Sequence, residues 1–491
     1  MPRPLVMIHG YSADGTAMDP LRDALVARGR QAIDIDICTY VSLNNEITIK
    51  DIAEGLDRAF RYHNLLKNDA QEFDAIVHST GMLVLRSWLT NYGGPAHTNS
   101  RLRRLKHLVG VAPATWGSPQ AHKGRSWLGA LVKGNRQLGP DFLNAGDCVL
   151  DGLELGSQFT WDLAHLDLLL PEPYYDTGPN TPYVAVFIGN QPYEGLSSVA
   201  NDPGTDGTVR WSGCALNARK LTIDLTRIPA QSEEQGGRVT MSPWAERRLD
   251  IPMIAVDGRN HSTIMSDPVP AMADLIAQFL TVGDDGALSY DTWLAQARAF
   301  GEEARKKMLV NPGGGSGLGA EAKKFFGHLL GEDQPATIEG WQQFMIRARD
   351  ERGDGVSDYV VEVLKQNERG EWESFEEMST DVHAYQTDNS FRCFHVKLPH
   401  GLSSGEVKLR LRIHASTGTE LIAYQGYGSE ARQLTATSEP VELDIETAGA
   451  GTLFFPFTTT LIEIVLNREP MPFDGESRIL RFLRDTATDG G

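Results

Sequence analysis

The chain opens on a short apolar run, Leu5 to Ile8, that ends at His9-Gly10 and gives way to a polar loop. LRDALVARG at 21–29 then shows helical spacing and closes on Gly29. AIDIDI at 32–37 alternates like a strand, and DIAEGLDRAFRYH at 51–63 is helical. FDAIV at 73–77 reads as a buried-type strand, and TGMLVLRSWL at 80–89 is again helical. Alternation of this kind predicts an α/β fold, with a mostly parallel sheet covered by helices on both faces.

The same grammar runs through LKHLVGVA at 105–112, PYVAVFIG at 182–189, KLTIDL at 220–225 and IPMIAVDG at 251–258. It ends with the helix MADLIAQFL at 272–280, which gives one sheet domain over residues 1–282. Residues 117–181 break the rhythm with amphipathic helical pieces, SWLGALV and VLDGLELGSQFTWDLAHL, and read as a cap inserted over the sheet. A charged helix and the glycine-rich run NPGGGSGLG make 283–336 a linker. From 337 to 491, short alternating segments such as FMIRARD, YVVEVLK, VKLRLRIHA and LIEIVLN predict an all-β, antiparallel sandwich. Gly315-x-Gly317-x-x-Ala320 loosely matches a dinucleotide-binding fingerprint, but it follows a helix rather than a strand and reads as linker.

Composition narrows the function classes. The 491 residues are 41% hydrophobic and 23% charged, as in ordinary globular proteins. A formal net charge of −19 disfavours nucleic acid, whose recognition needs a basic face. Cys38, Cys148, Cys214 and Cys393 are scattered, with no CxxC pair to suggest zinc or a disulfide framework. MPRPLVMIHGY is too short in its apolar stretch for a signal peptide, and the expectation is a cytoplasmic protein without a membrane span.

The chemistry centres on Val77-His78-Ser79-Thr80-Gly81. A serine between a buried strand and a helix sits on a sharp turn that exposes its Oγ and aims the helix N-terminus at a reacting carbonyl. The plain alternative is an N-cap serine. With Leu83-Val84-Leu85-Arg86 behind it, this segment resembles the elbow of bacterial lipases and carboxylesterases of the α/β-hydrolase superfamily. It departs from G-x-S-x-G at Val77, whose branched side chain predicts a crowded elbow.

The resemblance implies further roles over residues 1–282. Backbone N–H groups after His9-Gly10 and after the nucleophile bind the oxyanion in that superfamily, which points here to Tyr11 and Thr80. Gly204-Thr205-Asp206-Gly207-Thr208-Val209 looks like the acid-bearing segment of lipases, making Asp206 the acid, with Asp202 and Asp257 as rivals. His261, just past a late strand, stands where loops reach the sheet's C-terminal edge and is the expected base. The order Ser79, Asp206, His261 is that of α/β-hydrolases. His78 and Trp116, the latter beside Gly117-Ser118-Pro119, are expected at the substrate.

The expected activity is hydrolysis of carboxylic esters, small or lipidic, through an acyl-enzyme, with no metal or cofactor required. Phospholipid hydrolysis with peripheral lipid contact is an alternative, and the β region is of the kind two-domain lipases carry for lipid or partner binding. A third reading takes Val77 as the mark of a degenerate hydrolase scaffold that acts as a binding module.

Overall fold

A computed structural model describes residues 3–480 apart from 12, 67–71, 93, 95–99, 124–145, 178–179, 194–201, 229–237, 311–337, 376–379, 401, 403–407, 427–434, 437–439, 446–452 and 473–475. SWLGALV in the cap and the glycine-rich run lie outside the described residues.

Strands β1 (Leu5–Ile8), β2 (Ile35–Cys38), β3 (Phe73–His78), β4 (Leu105–Val111), β5 (Tyr183–Gly189) and β8 (Met253–Val256) form one sheet in the order β2-β1-β3-β4-β5-β8. All its pairings are parallel. The four residues of β1 are buried on both faces, the signature of a sheet covered on both sides. Helix α1 (Asp19–Val26), helix α2 (Ile49–Tyr62) and helix α3 (Gly81–Thr90) follow the early strands. Ile49, Ile52, Ala53, Leu56 and Phe60 recur at helical spacing on the buried stripe of α2. A capping box between Thr48 and Asp51 starts that helix.

Between β4 and β5 the described part of the cap comprises α4 (Pro119–Lys123), α5 (Asp147–Leu153) and α6 (Gln158–Asp167). Arg86 of α3 anchors α6 by a two-point ion pair with Asp167, at 2.8 and 2.9 Å. Helix α7 (Thr263–Ser266) and helix α8 (Pro270–Phe279) follow β8. Helix α9 (Tyr290–Met308), read from sequence as part of the linker, packs one face against β8, where Gly301 approaches the Ala255 backbone. Its charged residues line the other face.

The C-terminal region is a pair of β-sheets. Strands β10 (Tyr359–Gln366), β11 (Trp372–Ser374), β14 (Leu409–Ala415) and β17 (Val441–Ile445) form one. The other runs β12 (Thr380–Ala384), β13 (Phe391–Leu398), β9 (Gly340–Asp350), β18 (Thr459–Pro470), β15 (Ile422–Gly426), β16 (Thr435–Ala436). Leu409, Leu411 and Ile413 of β14 point inward at alternate positions and meet Phe344, Ile346, Ile462 and Ile464 of the facing sheet.

Two features differ from the sequence reading. Strand β18 pairs in parallel with β9, so the sandwich is not wholly antiparallel. More consequentially, β6 (Ala218–Asp224), which contains most of KLTIDL, does not join the hydrolase sheet but pairs in parallel with β18 and antiparallel with β7 (Val239–Met241). The reason lies in its alternation. Leu221 and Ile223 bury in the sandwich core while Lys220 reaches out to Glu463 at 2.8 Å. Among the described residues, no helix is long and apolar enough to cross a membrane.

Candidate active site

Ser79 stands between β3 and α3 with a φ of 52°, a left-handed conformation that costs a non-glycine residue roughly 1–3 kcal/mol. Its neighbours hold it there. Ser79 N–H donates to the Val111 carbonyl at 3.3 Å, and its own carbonyl accepts from Ala114 N–H at 3.0 Å and Met82 N–H at 3.2 Å. The turn also requires two close approaches. A Cβ at Gly10 would sit 2.8 Å from Ser79 Cβ, and one at Gly81 would sit 2.7 Å from the Ile8 carbonyl oxygen. The crowding expected at Val77 does not distort the elbow. Val77 is buried in register between Ile8 and Gly110, and the tight contacts fall on glycines.

Three side chains from distant loops converge here. His261 Nε2 lies 3.0 Å from Ser79 Oγ, and His261 Nδ1 lies 2.9 Å from Asp206 Oδ2. Asp206 is wholly buried, whereas Ser79 and His261 keep 7% and 6% exposure at the cavity wall. The other carboxylate oxygen of Asp206 accepts from Thr208 N–H at 3.0 Å and Val209 N–H at 2.8 Å. Those two bonds satisfy and orient an otherwise costly buried charge. The two loops are also joined through the main chain, since His261 N–H donates to the Asp206 carbonyl at 3.0 Å.

Of the two rivals, Asp257 is engaged elsewhere. Asp257 accepts from Lys307 at 2.6 Å and Asn190 at 2.9 Å, and the Lys307 contact holds its carboxyl below the usual range. Asp202 accepts at its carbonyl from Thr205 Oγ1.

His78 lines the cavity beside Ser79, and its Nε2–H donates to the His261 carbonyl at 3.0 Å. Burial first and the neighbouring His261 ring second hold His78 down at about 3, so it is neutral. It therefore braces the His261 loop without placing a charge beside Ser79. Tyr11 lines the same cavity, and Thr80 directly follows Ser79 at the start of α3. His9 fixes the Tyr11 segment. Its Nδ1–H donates to the Gly10 carbonyl at 2.7 Å, and its ring stacks on Tyr40 at 4.3 Å.

Trp116 corrects an expectation. It does not line the cavity but is wholly buried, with its indole N–H donating to the Ala215 carbonyl at 3.0 Å. The segment after Asp206 lies over it and makes it a core residue. Tyr193, Gln120, Leu153 and Met265 line the cavity of about 330 Å³ and were not singled out from sequence. Tyr193 Oη is 2.9 Å from Thr208 Oγ1 and 3.2 Å from Ser262 Oγ, tying the Asp206 loop to the His261 loop. It comes from an irregular loop, where periodicity carries no signal. Among the described residues, no cluster of His, Cys, Asp and Glu is arranged to hold a metal ion.

The parallel sheet, the strained strand-to-helix turn and the loops that converge above it define an α/β-hydrolase fold of the lipase and esterase kind, followed by a β-rich region. No protein-family model matches the sequence, and no curated protein matches it significantly. In structure, the chain is similar to phospholipase PlaB from Legionella pneumophila, with a TM-score of 0.71 at 21% identity over 99% of this chain and 97% of that one. The same phospholipase in complex with thio-NAD gives a TM-score of 0.69 at 20% identity, over 100% of this chain and 97% of that one.

Proposed function

We infer that the protein is a serine hydrolase of carboxylic esters, with Ser79 as nucleophile, His261 as general base and Asp206 as the orienting acid. The observation that carries this reading is the unbroken chain from Ser79 Oγ through both nitrogens of His261 to Asp206, at 3.0 and 2.9 Å. Ser79 Oγ attacks the ester carbonyl carbon while His261 Nε2 takes its proton. The Tyr11 and Thr80 amides hold the oxyanion, and one such donor is worth about 10²–10³ in turnover. Collapse expels the alcohol, which receives the proton from His261, and the acyl group stays on Ser79. Water, deprotonated by the same nitrogen, then attacks the acyl carbon and frees the acid and the serine.

A cavity of about 330 Å³ with Leu153, Met265, Ala13 and Ala17 among its walls suits one apolar acyl group. Phospholipid is the second reading, favoured by the likeness to a phospholipase that runs through the β-rich region as well as the hydrolase sheet. The test is turnover of p-nitrophenyl esters of increasing acyl length and of phosphatidylcholine vesicles, by wild type and Ser79→Ala. Turnover that vanishes in the variant supports the assignment, and the preferred substrate decides between the two readings. An inactive wild type, or an unaffected variant, removes it and favours a scaffold that only binds.

A further inference from the structure

We propose that the C-terminal β region is a working part of the active site, and that Arg210, anchored on that region, is a positioning residue for Asp206. The inference rests on the hydrolase reading above. It begins with a charge where none is cheap. Arg210 is 1% exposed, and a guanidinium withdrawn from water demands an anionic partner. Its partner comes from strand β12, where Asp381 Oδ2 accepts from Arg210 Nη2 at 2.5 Å. Arg210 Nη1 meets Cys393 Sγ of β13 at 3.5 Å. Burial pushes that thiol up to about 12 and pushes the nearby His395 ring well below its ordinary value, so neither carries charge. The pairing that fixes Arg210 therefore crosses from the acid loop to the β region.

Arg210 sits at the foot of the hairpin whose tip is Asp206. Thr205 and Arg210 face each other as an antiparallel bridge, Asp206 N–H donates to the Val209 carbonyl at 3.1 Å, and Trp211 N–H donates to the Gly204 carbonyl at 2.9 Å. Gly204, at a φ of +74°, rests on the same sheet, where a Cβ would lie 2.5 Å from His395 and 2.9 Å from the Trp341 ring. Beyond the hairpin, Thr459 N–H donates to the Asn217 carbonyl at 3.2 Å, and the next residue begins β6, a strand of the C-terminal sheet. Both feet of the hairpin are thus seated on the β region, while its tip presents Asp206 to His261. Displacing Arg210 shifts its bridge partner Thr205 and the carboxylate next to it. A displacement of about 1 Å at a reacting group is enough to cost about a hundredfold in rate.

The full chain is assayed as wild type, Arg210→Met, Arg210→Lys, Asp381→Ala and the double Arg210→Met/Asp381→Ala, with thermal unfolding recorded for each. The expected result is a fall in kcat of about a hundredfold in Arg210→Met and about tenfold in Asp381→Ala, with KM within about twofold. Arg210→Lys recovers part of the loss. The double variant is no slower than Arg210→Met, because both changes break one link. Asp381 is half-exposed, so its variant carries the test if Arg210→Met fails to fold. Folded variants that turn over within twofold of wild type, additive losses, or a change confined to KM overturn the proposal. A wild type that neither hydrolyses esters nor reacts at Ser79 with a fluorophosphonate overturns the hydrolase reading itself, and this inference with it.

Discussion

Asp206→Asn is nearly isosteric, and its consequence follows from the bonds Asp206 makes. One carboxylate oxygen accepts two backbone N–H groups, from Thr208 and Val209. An amide placed with its NH₂ toward them would set donor against donor twice, so the asparagine keeps its oxygen there and turns its NH₂ toward His261. That NH₂ then donates to Nδ1, which becomes the acceptor, and the imidazole proton moves to Nε2. Nε2 lies 3.0 Å from Ser79 Oγ and would be a donor where catalysis needs an acceptor. A wrong tautomer of this kind costs about 10⁴ in kcat in a serine protease, or about 5.5 kcal/mol of barrier. The same order is expected here with little change in KM or in unfolding midpoint, read from p-nitrophenyl butyrate hydrolysis at pH 7.5 alongside Asp257→Asn and Asp202→Asn. Those two controls are expected within about threefold of wild type. An Asp206→Asn enzyme within tenfold of wild type would refute the assignment of the acid.

Three further perturbations test the frame around the site. Asp167→Ala leaves the wholly buried Arg86 guanidinium unpaired and is expected to cost about 3–5 kcal/mol in urea unfolding, whereas Arg86→Met/Asp167→Leu costs far less. Gly81→Ala drives a Cβ to 2.7 Å from the Ile8 carbonyl oxygen, so α3 must shift off β1; lower stability and a slower labelling of Ser79 by fluorophosphonate are expected together. His78, held down at about 3 in the folded chain against about 6.5 unfolded, binds its proton more readily when unfolded. Its contribution is therefore complete above pH 6.5 and is lost as pH falls toward 3, by at most about 1.4 kcal/mol per pH unit. Urea midpoints from pH 7 to pH 5 should fall less steeply in His78→Gln than in wild type.

The parts of the fold that could be read from the chain are those where local pattern and tertiary environment agree. Strands β1 and β5 are apolar runs, and β3 and β4 are mostly so apart from Asp74, His78, Lys106 and His107, because they are buried on both faces. The serine was legible because a strand, a serine and a helix within ten residues leave few other geometries for the chain. Trp116 was misread because the loop beside an elbow says nothing about which way a large ring turns. Its direction is set by the Ala215 carbonyl, far later in the chain, which accepts the indole N–H, and no local signal carries it.

Strand β6 shows the same limit and its remedy. KLTIDL sits among strands of the parallel sheet in sequence, but its polar residues at every second position mark a strand with one wet face. The buried strands β3 to β5 have no such face, and a two-faced strand placed among them would have carried Lys220, Thr222 and Asp224 into the core. The alternation that argued for a β-sandwich after residue 337 therefore applied equally at residue 220. Read that way, the chain passes through the C-terminal sheet immediately after leaving the Asp206 loop and before reaching His261. A β region that takes a strand from between Asp206 and His261 cannot be an appendage to the hydrolase sheet. Removing it would strip β6 of β18, to which it bonds from Ala218 to Asp224, and leave the loop that carries Asp206 without its floor.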